Sequence, residues 1–505
     1  MRSKKAIKNI IASVCQQVVI FVCGLIVPKA IISTFGSSVN GLISSITQFL
    51  SYISLLEAGI GPVIKAALYK PIAQKDKQEI EKILKSSQKF FRVISGILII
   101  YLIILCFVYP LIVADQFDYW FTVSLIVIIS ISTFAEYFFG MVYTLYLQAE
   151  QKTYITALLQ SGSTILNAIL VIMLIRFNTN IQIVKLVSAF VFVLRPIIQN
   201  IYVKKKYNIN FKEVKEKYNL KQKWDGLAQH IAAVVHSSTD VAVLTIFTNT
   251  AEVSVYTVYL FVVNGVKNIV QAFTGGVDAS FGDMIVKGEK ENLNKSFKTY
   301  ELFYYTLITI VYIVTMILIL PFVSVYTRGI TDINYYRPTF AILIIVAELF
   351  WSIRLPYSSI TLAAGHFRET KKGAWLEAFL NLFLSIILVF KFGMIGVAIG
   401  TLVAMLVRTI EFIYHSSKYI LKRKIRDAVG RITLLAIETL LIVPIGMIIC
   451  NRYNVDSYIT WIIMAISVTL TVAFIVISVN SIIYKKDVKS LIDMLKRNFL
   501  KRGVN

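Results

Sequence analysis

The sequence predicts an all-α integral membrane protein with about fourteen transmembrane helices. Three observations predict it. The chain of 505 residues is 57% hydrophobic and only 16% charged, too few charges to cover a soluble protein of this length, and its mean hydropathy is +0.71. Apolar runs long enough to cross a bilayer recur from end to end. The basic residues alternate in step with those runs, crowding every second connection.

The predicted spans lie near 8–34, 40–69, 90–113, 120–148, 154–176, 181–203, 227–249, 253–285, 299–325, 337–364, 373–391, 394–417, 432–451 and 457–484. Several exceed the roughly 20 residues a span needs, which implies tilt or extension beyond the membrane. With the N-terminus inside, the inward segments 1–8, 70–92, 149–153, 204–224, 286–298, 365–372, 418–431 and 485–505 carry forty Lys and Arg, and the outward side carries five. The positive-inside rule then places both termini in the cytoplasm. It also accounts for the net charge of +24, which in a soluble chain would suggest nucleic acid; no nucleic-acid partner is expected. The basic N-terminus runs into a full-length span without a small-residue cleavage site, so no cleaved signal is expected. Cys15, Cys23, Cys106 and Cys450 lie in or beside apolar runs with no CxxC pair, which argues against a metal site or a disulfide framework.

A shift of 213–214 residues brings Tyr143 onto Tyr357, Ala149 onto Ala363, Leu166-Asn167 onto Leu380-Asn381 and Arg195 onto Arg408, and matches the basic loops in order. Six spans repeated, with two added at the C-terminus, make a parallel 6 + 6 + 2 plan, because an even repeat keeps its orientation. The expected division is an N-terminal six-helix bundle at 1–205, a basic cytoplasmic linker at 206–226, a C-terminal six-helix bundle at 227–420, and two extra helices with a tail at 421–505.

The most distinctive stretch is FGSSVNGLISSITQFLSYISLLEAGIGPVIKAALYKPIAQKDK, from Phe35 to Lys77. It places Glu57, a Gly59–Pro62 break and Lys65 within nine residues of an apolar span. A charge at bilayer depth costs about 3 kcal/mol on insertion scales, and its default reading is functional. The pattern FG-x3-NGL-x14-EAGIGP-x2-K-x5-P, the loop start Asp76 to Ile80, and the turn Tyr143-x5-Ala149-Glu150-Gln151-Lys152 resemble the polysaccharide transport family, the Wzx-type flippases of the MOP exporter superfamily. The resemblance runs over the whole chain.

The resemblance implies a MATE-like fold of two six-helix bundles in a V around a cavity lined by spans 1, 2, 7 and 8. It implies alternating-access transport of an oligosaccharide carried on a lipid of the undecaprenyl-pyrophosphate type, from the inner to the outer leaflet of the bacterial plasma membrane. Such units feed capsule or O-antigen biosynthesis. It implies no cofactor, although relatives couple to H+ or Na+, and it admits a polysaccharide polymerase and chain-length machinery as partners beside the membrane lipids.

The residues can be read independently of that likeness. A sugar and a pyrophosphate cannot cross hydrocarbon unsolvated, so a carrier of this kind needs cations and polar groups inside the membrane. Lys29, Lys65, Lys267, Arg195, Arg354 and Arg408 are the candidate substrate cations. Each has a structural reading too: Lys65, near its span's end, can snorkel to the interface, and Arg408 can pair with Glu411 three residues on. Lys267, near the middle of span 8, is the strongest of them. Glu57, Asp240, Asp278, Glu348 and His236 are candidates for ion coupling or ion pairing. His236 and Asp240 stand four apart on one helical face, a spacing suited to a proton-sensitive pair. Acids and bases are roughly balanced at membrane depth, so a net positive cavity follows from the resemblance and not from the residues.

The rival readings are a flippase for the peptidoglycan lipid precursor, which would share the pyrophosphate, and a MATE-like multidrug or cation antiporter, in which acids would outnumber bases. An enzyme is not expected. The outward loops are too short to hold a catalytic centre, and no nucleotide-binding loop is present.

Overall fold

The computed structural model describes residues 2–57, 60–211, 227–274, 277–453 and 455–492. Every regular element among them is helical, as hydrocarbon demands of a chain that must satisfy its backbone N–H and C=O groups internally. Among the described residues, thirteen helices are long and apolar enough to cross a membrane. The remaining predicted span, 227–249, coincides with the helix Leu227–Phe247, whose described apolar part is Ser238–Phe247. The predicted fold class is the one observed. The chain divides into two compact units, Met1–Thr257 and Val258–Asn505.

In the first unit, α1 (Arg2–Phe35) ends at Gly36, whose φ of 88° is one that side-chain-bearing residues avoid, and α2 (Ser37–Ser51) starts at the next residue. The helix tightens to 3₁₀ geometry over Tyr52–Glu57. It resumes as α3 (Ile60–Gln74), with Pro62 in the first turn, where backbone N–H groups have no helical partner to lose. The sequence places the bend at Gly59–Pro62; the change begins earlier, at Tyr52, and Ala58 and Gly59 lie outside the described residues.

A second correction concerns the basic segment 70–92, expected as a loop. It is mostly helical. Only Lys75 and Asp76 interrupt it, and the Asp76 carboxylate caps α4 (Lys77–Ile112) by accepting from the Glu79 N–H at 3.0 Å. The reason is periodicity: Ile80, Ile83 and Leu84 recur at helical spacing and pack with Ile64, Leu68 and Tyr143 into one core. α5 (Tyr119–Ala135), capped by Asp118, runs through a π-helical turn at Glu136–Gly140 into α6 (Met141–Ala149). α7 (Thr153–Arg176), α8 (Ile181–Tyr207) and α9 (Leu227–Phe247) follow. The first turns of α10 (Thr250–Ala272) complete the unit.

The predicted single span 253–285 is two helices, α10 and α11 (Val277–Val286). α10 ends at Ala272 and Phe273–Thr274 form a turn; the following Gly275-Gly276 lie outside the described residues. In the second unit α12 (Lys290–Tyr326) again absorbs an expected basic loop, 286–298, into its first turns. α13 (Pro338–Ala363), α14 (Lys371–Phe392) and α15 (Met394–His415) pack closely. Gly396-x3-Gly400 on α15 lets the backbone of α14 approach: a Cβ at Gly400 would lie 2.7 Å from the Ser385 backbone nitrogen. A π-helical turn at Ser416–Ile420 precedes α16 (Ile425–Cys450) and α17 (Tyr458–Ile483), both of which lean on α12 and touch each other little.

The internal repeat is visible in the helix boundaries. Ser37 and Thr250, Lys77 and Lys290, and Ile181 and Met394 begin corresponding helices, each pair 213 residues apart.

Candidate substrate and coupling site

Most of the intramembrane charges predicted from sequence are held in polar clusters, and each cluster lies within one unit.

In the first unit the π-helical turn displaces Glu136 from the regular helical register, and its Oε2 receives the Arg195 guanidinium of α8 at 2.5 Å. Pro196, one residue on, packs so close to Gly140 that a Cβ there would meet its own Cβ at 2.7 Å. Glu57 lies beside Tyr137 and within electrostatic reach of Glu136. One of its carboxylate oxygens is buried without a hydrogen-bond partner among the described residues. Two carboxylates, Glu57 and Glu136, therefore lie within electrostatic reach of each other, and Arg195 pairs with Glu136. The side chains of Arg195 and Glu136 remain 26% and 22% exposed.

A second polar set in this unit ties α2 to α9 and the start of α10. Asn40 Nδ2 donates to Ser254 Oγ at 2.8 Å, Ser45 and Thr245 share a hydroxyl bond of 2.6 Å, and Tyr52 donates to the Ser238 carbonyl at 2.9 Å. Gly41 makes room for this approach, because a Cβ there would collide with the Thr250 carbonyl. Asp240 is buried and accepts from the Tyr256 hydroxyl at 2.8 Å. The side chains of His236 and Asp278 lie outside the described residues, so the expected His236–Asp240 pair does too.

In the second unit Lys267 Nζ sits 2.9 Å from Glu348 Oε2 and 4.1 Å from the centre of the Trp351 ring. A third cluster surrounds Glu377. Arg354 donates to its Oε1 at 2.9 Å, and Arg408 approaches its Oε2 at 3.1 Å. Arg408 also pairs with Glu411 and donates to the Thr370 carbonyl at 2.9 Å, and its side chain is 2% exposed. Gly373 leaves space for this knot, because a Cβ there would run into Glu411 and Arg408. Lys29 and Lys65 are half-buried; Lys65 has no ion partner among the described residues, consistent with a side chain that reaches toward an interface.

Sequence reasoning missed Glu377, Trp351 and a fourth cluster. Glu301, fully buried, accepts from Arg423 at 2.9 and 2.5 Å, pairs with Arg431 at 3.2 Å and takes the Tyr357 hydroxyl. Arg431 also reaches Asp487 at 2.9 Å. Burial works against the charge of Arg423, yet hydrogen bonds and the Glu301 charge outweigh it and hold the guanidinium more basic than usual. This cluster anchors the start of α16 to α12. Arg423, Arg431 and Asp487 lie in the segments 418–431 and 485–505, whose basic residues read as loop charge. A carboxylate surrounded by sequence-distant arginines leaves no local spacing signal.

No protein-family model matches the sequence, and no curated protein does. Solved structures do resemble the fold. A structure titled lipid II flippase MurJ, inward closed conformation, superposes with a TM-score of 0.70 at 16% identity, covering 94% of this chain and 99% of that one. An inward-facing multidrug resistance MATE family transporter of the MOP superfamily superposes with a TM-score of 0.62 at 14% identity, covering 83% and 95%. The Vibrio cholerae MATE transporter VcmN in the bent form gives 0.53 at 16% identity, covering 85% and 99%. At these identities the likeness establishes the fold alone: a multi-pass helical bundle of the kind shared by a lipid flippase and multidrug transporters.

Proposed function

We propose that this protein is a flippase that moves a polyprenyl-pyrophosphate-linked oligosaccharide from the cytoplasmic to the outer leaflet of a bacterial plasma membrane, for surface polysaccharide assembly. The observation that carries the lipid half of this reading is a groove of about 640 Å³ where α16 and α17 part. Ile442, Ile445 and Ile449 line one wall, Ile463, Val468 and Ile475 the other, and Ile317 of α12 lies against Gly446. An isoprenoid tail fits this apolar surface by packing against it. Lys267 supplies the cation for the pyrophosphate. Arg195, Arg354 and Arg408 serve through the ion pairs that shape their surroundings. Glu57, beside Tyr137 and within electrostatic reach of Glu136, is the proposed seat of H+ or Na+ coupling. Both termini are placed in the cytoplasm by the charge distribution.

The likeness to MurJ favours one second reading, a flippase for the peptidoglycan lipid precursor, which carries the same pyrophosphate. The two are separated by supplying purified protein in vesicles with fluorescent polyprenyl-pyrophosphate carrying either a polysaccharide repeat unit or the peptidoglycan disaccharide-peptide, and measuring leaflet exposure. Faster exposure of the first supports the proposal. Transport of the second alone replaces it, and equal exposure with and without protein removes both. Substituting Glu57→Gln is expected to uncouple transport from the ion gradient while leaving slow equilibration. Retained gradient dependence would take Glu57 out of the coupling role.

A further inference from the structure

We infer that the pocket formed by the connection between α12 and α13 is a binding site for a neutral sugar, distinct from the Lys267 site that meets the pyrophosphate. The side of the membrane and the source of the sugar rest on the proposed function. The chemistry of the pocket rests on its own residues.

The pocket has a volume of about 460 Å³ and is lined by residues between Val323 and Tyr336. That volume falls within the roughly 300–1,000 Å³ of small-molecule sites. Ser324, Thr327 and Thr331 bring hydroxyls to it, Asn334 an amide and Tyr336 a phenol ring. No Asp, Glu, Lys, Arg or His is among the lining residues, so the pocket offers no cation to a phosphate and no anion to an amine. Hydroxyl and amide groups both donate and accept, which suits a neutral ligand rich in hydroxyls. A sugar ring also has a C–H face, and its slightly positive hydrogens pack well on the negative face of an aromatic ring.

Exposed connections are mobile as a rule, and ordering one on binding weakens affinity. This one is held in shape beforehand. Gly329, at a φ of 85°, lets the chain turn back just after α12, and the Ile330 N–H donates to the Thr327 carbonyl at 3.0 Å. Residues before and after that turn therefore line one pocket. Tyr259 of α10 is fully buried. Its hydroxyl donates to the Tyr335 carbonyl at 2.7 Å and accepts the Arg337 N–H at 3.0 Å. Those two backbone groups flank Tyr336, so a single hydroxyl clamps the chain on both sides of it. Asn334 Oδ1 accepts the Tyr336 N–H at 2.8 Å. The backbone of Tyr336 is thus fixed from three directions, while the residue remains 48% exposed. A rigid backbone carrying an exposed ring beside hydroxyls is a preorganised platform for a sugar, and Tyr259 is its positioning residue.

The charge distribution places this connection on the outer face. Sugar reaches it there either as the transported lipid-linked unit or as finished surface polymer, and the two share the chemistry that the pocket reads.

The test uses the full-length protein in lipid nanodiscs, free of sugar-based detergent, on an array of neutral and acidic oligosaccharides. Neutral oligosaccharides are expected to bind. Tyr336→Ala is expected to weaken them about tenfold, as loss of an aromatic anchor does, whereas Tyr336→Phe keeps the ring and most of the affinity. Thr331→Val, which removes a hydroxyl at nearly constant shape, and Tyr259→Phe, which removes the clamp, are each expected to cost about threefold at an equal folded fraction. No binding of neutral oligosaccharides, binding of acidic ones alone, or binding that Tyr336→Ala and Thr331→Val leave unchanged overturns the inference. Unchanged affinity in Tyr259→Phe overturns the role of the clamp.

Competition against the bound oligosaccharide separates the two sources: displacement by the fluorescent oligosaccharide lipid supports the transported unit, and displacement by added polysaccharide alone supports the polymer. Tyr336→Cys in intact cells is expected to react with a membrane-impermeant maleimide beyond the wild-type background; reaction only after the membrane is opened overturns the outer placement. Failure of the proposed function reads differently. Wild-type vesicles that do not flip the lipid, with array binding still sensitive to Tyr336→Ala, remove the transport and keep the sugar site. Flipping without any sugar binding on the array removes only the site.

Discussion

Arg195 in the first unit and Arg408 in the second occupy equivalent places in the repeat, 213 residues apart at the sixth span of each half. Their surroundings differ. Arg195 has one carboxylate, Glu136, and keeps a quarter of its side chain exposed. Arg408 has two carboxylates, shares one with Arg354, bonds a backbone carbonyl, lies against the Phe412 ring and is almost wholly enclosed. The same inherited position thus carries an open pair in one half and a closed knot in the other. An open pair with a surplus carboxylate nearby, Glu57, can exchange a partner, whereas a closed knot holds helices together.

Three substitutions break or sharpen this comparison. The largest effect is expected from Arg408→Ala, which leaves Glu377 and Glu411 short of a cation in a buried site and should destabilise the protein by about 3–5 kcal/mol. Thermal unfolding of the detergent-solubilised protein measures it, and a change below about 1 kcal/mol would mean that the knot is not structural. Next comes Gly373→Ala, which pushes a methyl group into the space taken by Arg408 and Glu411 and should cost about 1–3 kcal/mol as overpacking. An unchanged melting temperature would show that the knot has slack.

The smallest stability effect is expected from Arg195→Gln, about 1 kcal/mol or less, because its pair is partly exposed. Its signature is expected in transport instead, as an altered dependence on the ion gradient through Glu136 and Glu57. If Arg195→Gln unfolds the protein as readily as Arg408→Ala, the two halves are equivalent after all and the distinction drawn here fails.

Much of the fold was legible without coordinates. The apolar runs located the membrane helices because a span must be long and oily wherever it sits. Segments 70–92 and 286–298 were misread as loops because their basic residues dominate the composition. The apolar residues Ile80, Ile83 and Leu84 at helical spacing were the better signal there. The site was less legible. Lys267, Glu348, Arg354, Arg195 and Glu57 were marked by the cost of charge in oil, a property each residue carries by itself. How they pair was not, apart from Arg408 with Glu411, which lies one helical turn away.

The sequence by itself determined that this chain crosses a membrane many times, that its halves repeat, and which charges sit at depth. These follow from transfer free energies and spacing, which are local. Only the tertiary structure decided which of those charges are locked and which can change partners. Glu57 is costly by its position in an apolar span, but its neighbourhood with Tyr137 and Glu136 depends on sequence-distant helices meeting at a π-helical turn. Lys267 drew notice as a lone cation in a span, and its carboxylate comes from a helix some eighty residues away. An ion pair depends on distance in space, and distance along the chain carries almost none of that information once helices pack side by side.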